Sequence, residues 1–451
     1  MDPRRRREGG ERPVRHHHRA RLPHPVAGAA AGRADLPGGG RADGGQLRLQ
    51  QAAVPGPGTG GFDGACRARA GLGDTGRGRA PGHLDRHRRA RGRRQTGLCG
   101  RVADPGGGRM TTRSDLPGLD LDRLSDWLRE HLPMTGTALT GTLIAGGKSN
   151  LTYEIGDGTT RWIVRRPPLG HVLATAHDMA REYRVMAALR QTEVPVPAMY
   201  ALCQDDSVIG APFYVMERIE GRPYRTAAEL ADLGPERTRA ISTGLIDTLA
   251  TLHAVDPAAI GLADFGRPEG FLERQVRRWK KQLDASRTRE LPLADELHAL
   301  LAADVPAESA VGIVHGDYRL DNVLTDSRDR LVAVIDWEMA TLGDPLTDLA
   351  LMVVYGRLAA RAGGAVVADA TAAPGFLSED EIIARYTARS ERDMSRFGFY
   401  LGLAAFKLAA ILEGIHYRYL HGQTVGEGFD VIGSAIEPLL ETGLTAVKEY
   451  R

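Results

Sequence analysis

Two carboxylates and an amide stand at a spacing suited to phosphoryl transfer. An apolar run leads into Asp317, Asn322 follows five residues later, and Asp336 comes directly after a second apolar run, 332–335. In phosphoryl transfer one carboxylate orients the attacking hydroxyl, while an amide and a second carboxylate hold Mg²⁺ on the nucleotide phosphates. The spacing therefore predicts Asp317 as catalytic base and Asn322 and Asp336 as metal ligands, with ATP and Mg²⁺ as cofactors. The alternatives are a turn-capping aspartate at 317 and a surface carboxylate at 336.

Three charged or polar residues close to Asp317 could assist it. Arg319 could place its cation near the transferred phosphoryl group, or it could pair with Asp321 or Asp348. His315 could act as a base, but hydroxyl phosphorylation depends more on positioning than on a strong base. We therefore expect His315 to hold the loop by hydrogen bonds, and Asp348 to tether the backbone of the loop.

A phosphate-binding loop is expected ahead of this region, between strands at 139–144 and 151–155. A small, glycine-containing connection lets backbone N–H groups approach a phosphate. The predicted contacts are Gly146, Gly147, Ser149 and Asn150. A P-loop is excluded, because Thr142 occupies the required glycine position and a strand rather than a helix follows. An ordinary hairpin turn remains the alternative.

A strand at 161–166 followed by a helix at 176–191 predicts an ion pair. Arg165 would bind phosphate and be oriented by Glu182 on the helix, as in a kinase small lobe. Side chains alternate along a strand, so Arg166 should point to the opposite face. An ordinary surface salt bridge is the alternative.

A further strand beginning at residue 213 runs into a turn at Gly221 and would connect two lobes. The backbone of this connection, at Glu217 and Ile219, could meet an adenine edge. The pattern after it is mostly helical. The predicted helices are 120–132 before the strands and, after them, 235–253, 271–283, 293–301, 345–358, one opening at a 378–381 capping box, 393–419 and 425–440. This order predicts an α+β, bilobal fold with a small β-rich lobe at 110–220 and a helical lobe at 221–451.

At these residues the chain resembles the aminoglycoside phosphotransferase and choline kinase-like superfamily, which shares the protein kinase fold. The resemblance rests on His-Gly-Asp-Tyr-Arg-Leu-Asp-Asn at 315–322 and Ile-Asp-Trp-Glu at 335–338. The sequences at 164–168 and 181–186 are similar to those of the branch associated with acyl-CoA dehydrogenases. The resemblance implies Asp317 as base and Asn322 and Asp336 as Mg²⁺ ligands. It also implies a hydroxyacyl group or its coenzyme A thioester as acceptor.

The remaining alternatives are an aminoglycoside or other antibiotic kinase, and a nucleotide-binding regulatory module without turnover. The small-lobe cation is Arg165 where many kinases have lysine. Only seven residues separate Asp336 from Asp344, and no activation loop is recognisable, which favours a small-molecule acceptor over a protein. The basic stretch 274–281 would suit an anionic acceptor, or it could be a solvated helix face.

The first 109 residues differ sharply from the rest of the chain. They contain 23 Arg, no Lys and 9 Asp plus Glu, with a single aromatic residue, Phe62. This composition predicts disorder, because it cannot bury a core. One hypothesis is a misassigned start, with Met110 as the true first residue; the other is a basic tail for nucleic acid or a partner.

The body that follows is acidic, which does not favour nucleic acid or an anionic membrane as partner. Three cysteines without paired spacing fit a cytoplasmic protein. The longest apolar run, 399–412, is interrupted by Lys407 and predicts a buried helix rather than a membrane span. The sequence predicts no particular oligomeric state.

Overall fold

A five-stranded antiparallel sheet dominates the N-terminal part of the described chain. The computed structural model describes residues 116–136, 138–145, 150–169, 177–306, 311–362, 366–424 and 428–449. The predicted phosphate-loop residues Gly146, Gly147 and Ser149 and the segment 1–109 lie outside these residues. The strands are β1 Thr140–Ala145, β2 Leu151–Gly156, β3 Arg161–Arg166, β4 Met199–Cys203 and β5 Phe213–Glu217, in the order β1-β2-β3-β5-β4.

The two faces of this sheet are covered by different helices, α1 Leu121–His131 and α2 Met179–Leu189. Alternation along β3 sends Trp162 and Val164 into the apolar cluster with α1, whereas Ile163 joins the cluster that includes α2. The same alternation directs Arg165 towards α2. Arg166 points the other way and donates to the carbonyls of Gly118 and Ile209. The predicted opposite orientation of the two arginines is confirmed.

Helices make up most of the chain after β5. They are α3 Ala227–Ala231, α4 Pro235–Ala254, α5 Phe271–Ser286, α6 Pro292–Ala303, α7 Leu346–Ala362, α8 Glu379–Arg389, α9 Phe397–Leu420 and α10 Ile436–Glu449. The predicted capping box at the start of α8 is present between Ser378 and Glu381. The small sheet ahead and the helical region behind confirm the predicted α+β order.

Helix α9 is the centre of the helical region and packs against α5, α6, α7 and α10. Among the described residues it is the one helix long and apolar enough to cross a membrane by length and composition, but 89% of its apolar window is buried inside the protein. A core helix of a soluble domain has the same properties, so the predicted buried helix is confirmed.

The predicted C-terminal helix at 425–440 is wrong in its limits. A 3₁₀ turn covers Ile432–Ala435, and α10 then runs from Ile436 to Glu449. Pro438 explains the late start, because proline is tolerated in the first turn of a helix but not in its interior.

Between α6 and α7, two short antiparallel strand pairs position the candidate catalytic residues. Strand β6 Gly312–Val314 pairs with β9 Thr341–Gly343, and β7 Val323–Thr325 pairs with β8 Leu331–Val334. Asp317 follows β6, and Asp336 follows β8. The β7–β8 pair lies between β6 and β9 in the chain, so both carboxylates belong to the segment that the β6–β9 pair encloses.

Candidate active site

The loop after β6 is fixed by a buried carboxylate. Asp348, at the start of α7, accepts hydrogen bonds from the backbone N–H of His315 at 2.6 Å and of Gly316 at 2.8 Å. Gly316 has a φ of +85°, and a Cβ there would lie 2.8 Å from the Met339 carbonyl oxygen. Glycine is therefore required, and the predicted tether by Asp348 is confirmed.

His315 organises this loop from inside. Its Nε2 lies 3.1 Å from the carbonyl oxygen of Ile335, and its Nδ1 accepts from the N–H of Asp317 at 3.3 Å. Both ring nitrogens are thus engaged by backbone groups. The structure agrees with a positioning role for His315 rather than with a catalytic base.

Asn322 contacts the candidate base directly. Its amide nitrogen donates to the carbonyl oxygen of Asp317 at 2.8 Å and to the Asp317 carboxylate at 3.1 Å. The backbone carbonyl of Asn322 accepts from Ile335 N–H at 2.9 Å, which places Asn322 beside the residue preceding Asp336. The amide oxygen of Asn322 has no donor among the described residues, so this oxygen is available to a cation.

Asp336 occupies an uncommon backbone conformation. Its φ of 69° lies in the left-handed region, where non-glycine residues are rare and cluster at functional sites. Its carboxylate lies 2.5 Å from Arg165 Nη2, and Arg165 Nε lies 3.2 Å from Glu182. The predicted pairing of Arg165 with Glu182 is therefore present. The additional ion pair with Asp336 joins the two lobes.

Glu182 is held in a closed polar pocket. Its side chain is 1% exposed, and it accepts from the Tyr214 hydroxyl at 3.0 Å and the Asn150 amide at 2.8 Å. Burial raises the pKa of Glu182, and the adjacent Arg165 charge opposes that rise. The side-chain amide of Asn150 donates to Glu182 and is therefore occupied. The backbone N–H of Asn150 is the group that is still predicted to contact the cofactor.

Glu338 belongs to the site, although the motif at 335–338 that contains it predicted no role for this residue. A 3₁₀ turn, Trp337–Met339, turns its carboxylate back towards Arg165 at 3.9 Å and the Asn150 amide at 3.4 Å. Burial and the negative charge of Asp336 raise the pKa of Glu338 to about 8. The carboxylates of Glu338, Asp336 and Glu182 thus lie close together. A bound divalent cation would offset the repulsion among them.

The oxygen donors fit Mg²⁺ better than a metal that requires a full protein cage. No group of three or more His, Cys, Asp or Glu side chains is arranged as a metal site among the described residues. Asn322, Asp336 and Glu338 instead offer a few hard oxygens, and Mg²⁺ commonly takes its remaining ligands from water and phosphates.

In the connection between the lobes, some of the backbone groups that could bind an adenine already make hydrogen bonds within the protein. The N–H of Glu217 donates to the Ala198 carbonyl at 2.8 Å, and the carbonyl of Ile219 accepts from the Arg218 side chain at 2.7 Å. Contacts from the Glu217 carbonyl and the Ile219 N–H stay predictions.

Arg319 takes the second of its two predicted positions and pairs with Asp321. Its Nε lies 2.9 Å from Asp321 Oδ1, Nη2 contacts the other oxygen, and the guanidinium stacks 4.5 Å from the Tyr355 ring centroid. The two residues flank the start of a 3₁₀ turn, which explains their approach. Arg319 therefore acts on Asp317 through its charge, since it lowers the pKa that burial raises.

Lys407 on α9 and Tyr355 on α7 complete the surroundings of Asp317. Lys407 Nζ donates to the Gly316 carbonyl at 2.9 Å, and the Tyr355 hydroxyl donates to Asp317 at 3.3 Å. Sequence reasoning missed both residues. The one available signal was a lone lysine in an otherwise apolar helix.

A cavity of about 430 Å³ lies beside Gly316 and Lys407, bounded by α5, α7 and α9. Its lining includes the Trp279 ring, 5.5 Å from Lys407 Nζ. Five cations line it: Arg181, Arg267, Arg274, Arg278 and Lys407. The carboxylates in its lining are Asp178, Glu338 and Asp348, of which Asp178 caps α2 and Asp348 binds the loop backbone.

Arg278 has no hydrogen-bond or ion-pair partner among the described residues. Part of the basic stretch 274–281 thus faces the cavity, and this surface suits an anion.

Comparison with known proteins agrees with this geometry. The model of the phosphotransferase enzyme family matches residues 140–384. Acyl-CoA dehydrogenase family member 11 of Rattus norvegicus is 34% identical over 337 residues, which cover 72% of this chain and 43% of that protein. Family member 10 of Mus musculus is 34% identical over 326 residues, covering 70% of this chain and 30% of that protein. The chain thus spans less than half the length of these curated relatives.

A solved structure from Ralstonia eutropha, assigned to the aminoglycoside phosphotransferases, is also similar to this chain. It is 35% identical, with a TM-score of 0.64, and the match covers 73% of this chain and 98% of that one.

Proposed function

This chain belongs to the phosphotransferase enzyme family, and we propose that it transfers the γ-phosphate of ATP to a hydroxyl group on a small anionic molecule. The observation that carries the proposal is the cation-lined cavity beside Gly316, the residue that precedes Asp317 in the loop. A hydroxyacyl acceptor has the hydroxyl, and it has the required negative charge either on the carboxylate of the free hydroxy acid or on the phosphates of its coenzyme A thioester.

Asp317 orients the acceptor hydroxyl and takes its proton. The carboxylate is half-buried in the catalytic loop, with Asn322 and Tyr355 donating to it and fixing its direction. Burial raises its pKa, and the charges of Arg319 and Lys407 oppose that rise, which favours the ionised form needed for proton transfer.

The nucleotide phosphates would be bound between Arg165 and the oxygens of Asn322, Asp336 and Glu338. Mg²⁺, when bound there, neutralises the charge of the transferred group. Arg165 is already oriented by Glu182, so its cation needs little rearrangement to meet a phosphate. Its present pairing with Asp336 neutralises both groups in the free protein.

The names of the relatives support an acyl acceptor. Both curated relatives are acyl-CoA dehydrogenase family members, and this chain matches a region of less than half of each. A kinase acting on hydroxyacyl groups would share a substrate class with such proteins.

The similarity to a structure assigned to the aminoglycoside phosphotransferases supports a second candidate, an antibiotic acceptor. Aminoglycosides are polycations, and the cations of the cavity would repel them.

Nucleotide consumption by the full chain tests the proposal. Hydroxy acids, their coenzyme A thioesters and aminoglycosides would be supplied separately with Mg·ATP, and the phosphorylated product identified by mass. We expect turnover with the anionic hydroxyl compounds. Turnover with aminoglycosides alone would refute the anionic acceptor. Nucleotide binding without turnover on any acceptor class would support a regulatory module instead.

A further inference from the structure

Helix α2 contacts the nucleotide region through two adjacent residues. Glu182 pairs with Arg165, and Arg165 reaches Asp336 in the other lobe. Arg181, one residue earlier, also crosses to that lobe. Its Nη2 donates to the Phe265 carbonyl at 2.5 Å and to the Ala340 carbonyl at 3.0 Å, and its Nε lies 3.3 Å from the same Ala340 oxygen.

The guanidinium of Arg181 is fixed by more than these bonds. It lies 3.8 Å from the centroid of the Phe265 ring, which is itself buried. A planar guanidinium that donates to two carbonyls and also stacks on an aromatic ring has few alternative positions. Arg181 thus holds one orientation of α2 relative to the segment around Ala340.

Ala340 connects this contact to the site. It follows Asp336 by four residues, and its N–H is bonded to the Trp337 carbonyl, so the intervening turn is ordered. Helix α2 is consequently joined to the Asp336 segment twice. One connection runs through Glu182 and Arg165, and the other runs through Arg181 and Ala340.

We propose that Arg181 is a positioning residue, which anchors α2 to the Asp336 segment and so holds Glu182 and Arg165 in the orientation that binds nucleotide. The inference rests on the proposed nucleotide role of Arg165. In this arrangement contacts within the chain itself fix the orientation of α2.

Arg184 supplies a matched control on the same helix. It pairs with Asp264 and donates to the Gly261 carbonyl at 2.9 Å, next to the loop that Arg181 contacts. None of its hydrogen bonds among the described residues reaches Ala340. An Arg184→Met variant therefore removes a link between the lobes without loosening the Asp336 segment.

The test is calorimetric titration of the full chain with Mg²⁺ and a non-hydrolysable ATP analogue, for wild type, Arg181→Met, Arg184→Met, Glu182→Gln and the Arg181→Met/Glu182→Gln double variant. We expect Arg181→Met to weaken binding about tenfold and Arg184→Met to stay within about twofold of wild type. Because Arg181 acts through Glu182, the double variant should bind within about twofold of Glu182→Gln alone.

Independent, multiplying effects in the double variant would overturn the inference, as would unchanged binding by Arg181→Met. If Arg181→Met fails to fold, Arg181→Lys decides. Lysine keeps the charge but lacks the planar guanidinium that stacks on Phe265 while it bonds to both carbonyls. Binding equal to wild type would then refute the role. If Glu182→Gln binds as wild type does, the proposed nucleotide site itself is wrong, whatever Arg181 does.

Discussion

Replacing Lys407 with methionine is expected to stabilise the fold while impairing acceptor binding. Lys407 is the one lysine of the apolar helix α9, whose other strong cation, Arg418, lies in the last turn. Burial lowers the pKa of Lys407 from 10.5 to about 8, although Asp317 and Asp348 attract it. A lowering of that size corresponds to a cost of about 3 kcal/mol for the charged lysine in the folded state. Methionine fills similar space without charge and loses the bond to Gly316, worth about 1 kcal/mol. The expected net gain is about 2 kcal/mol.

The gain should depend on pH in a defined direction. The pKa of Lys407 is lower in the folded protein than in the unfolded chain, so between about pH 8 and 10.5 the unfolded chain binds more protons. Wild-type stability contributed by this group therefore rises with pH across that window. The advantage of Lys407→Met is fully present below pH 8 and is lost as the pH approaches 10.5.

Urea unfolding of wild type and Lys407→Met on either side of about pH 8 measures this directly, with the acceptor KM measured in parallel. Lys448→Met is the control, because Lys448 lies in an exposed pair with Glu296 and should change stability by less than about 0.5 kcal/mol. The acceptor KM should rise for Lys407→Met and not for the control. A Lys407→Met protein less stable than wild type at neutral pH would refute the reasoning.

Two further variants test the loop and the cavity. Gly316→Ala should lose more stability than Gly210→Ala, since both glycines have positive φ but only at Gly316 would a Cβ clash with Met339. We expect the free energies of unfolding in urea to differ by at least about 1 kcal/mol, with a fall in kcat for Gly316→Ala. Equal losses of stability would contradict the predicted clash. Arg278→Glu should raise the acceptor KM about tenfold or more without changing the KM for ATP, whereas Arg277→Glu, one position along α5 and outside the cavity lining, should leave both unchanged. A similar effect from both charge reversals would indicate general electrostatics rather than a binding site.

Sequence patterns were sufficient to predict contacts between residues that lie close together in the chain. Asp317 and Asn322 lie five residues apart in one loop, and the period of two along β3 separated Arg165 from Arg166. The pairing of Arg165 with Glu182 followed from a strand leading into a helix, a local arrangement as well.

Residues brought in by tertiary packing could not be found this way. Lys407 reaches Gly316 from a helix about ninety residues further along the chain, and only the packing of α9 decides which of its faces meets the loop. Arg319 could have paired with the nearby Asp321 or the distant Asp348, and the 3₁₀ turn brings Asp321 to its guanidinium. The limits of α10 depended on where Pro438 falls within its first turn.

The most direct test of the central claim is the rate of phosphate transfer by Asp317→Asn. The substitution keeps the size and the hydrogen-bonding shape of the side chain but removes the carboxylate that takes the hydroxyl proton. With a saturating anionic acceptor, kcat should fall by about a hundredfold or more while the affinity for nucleotide changes little. Turnover within about threefold of wild type would contradict the assignment of Asp317 and, with it, the proposed mechanism.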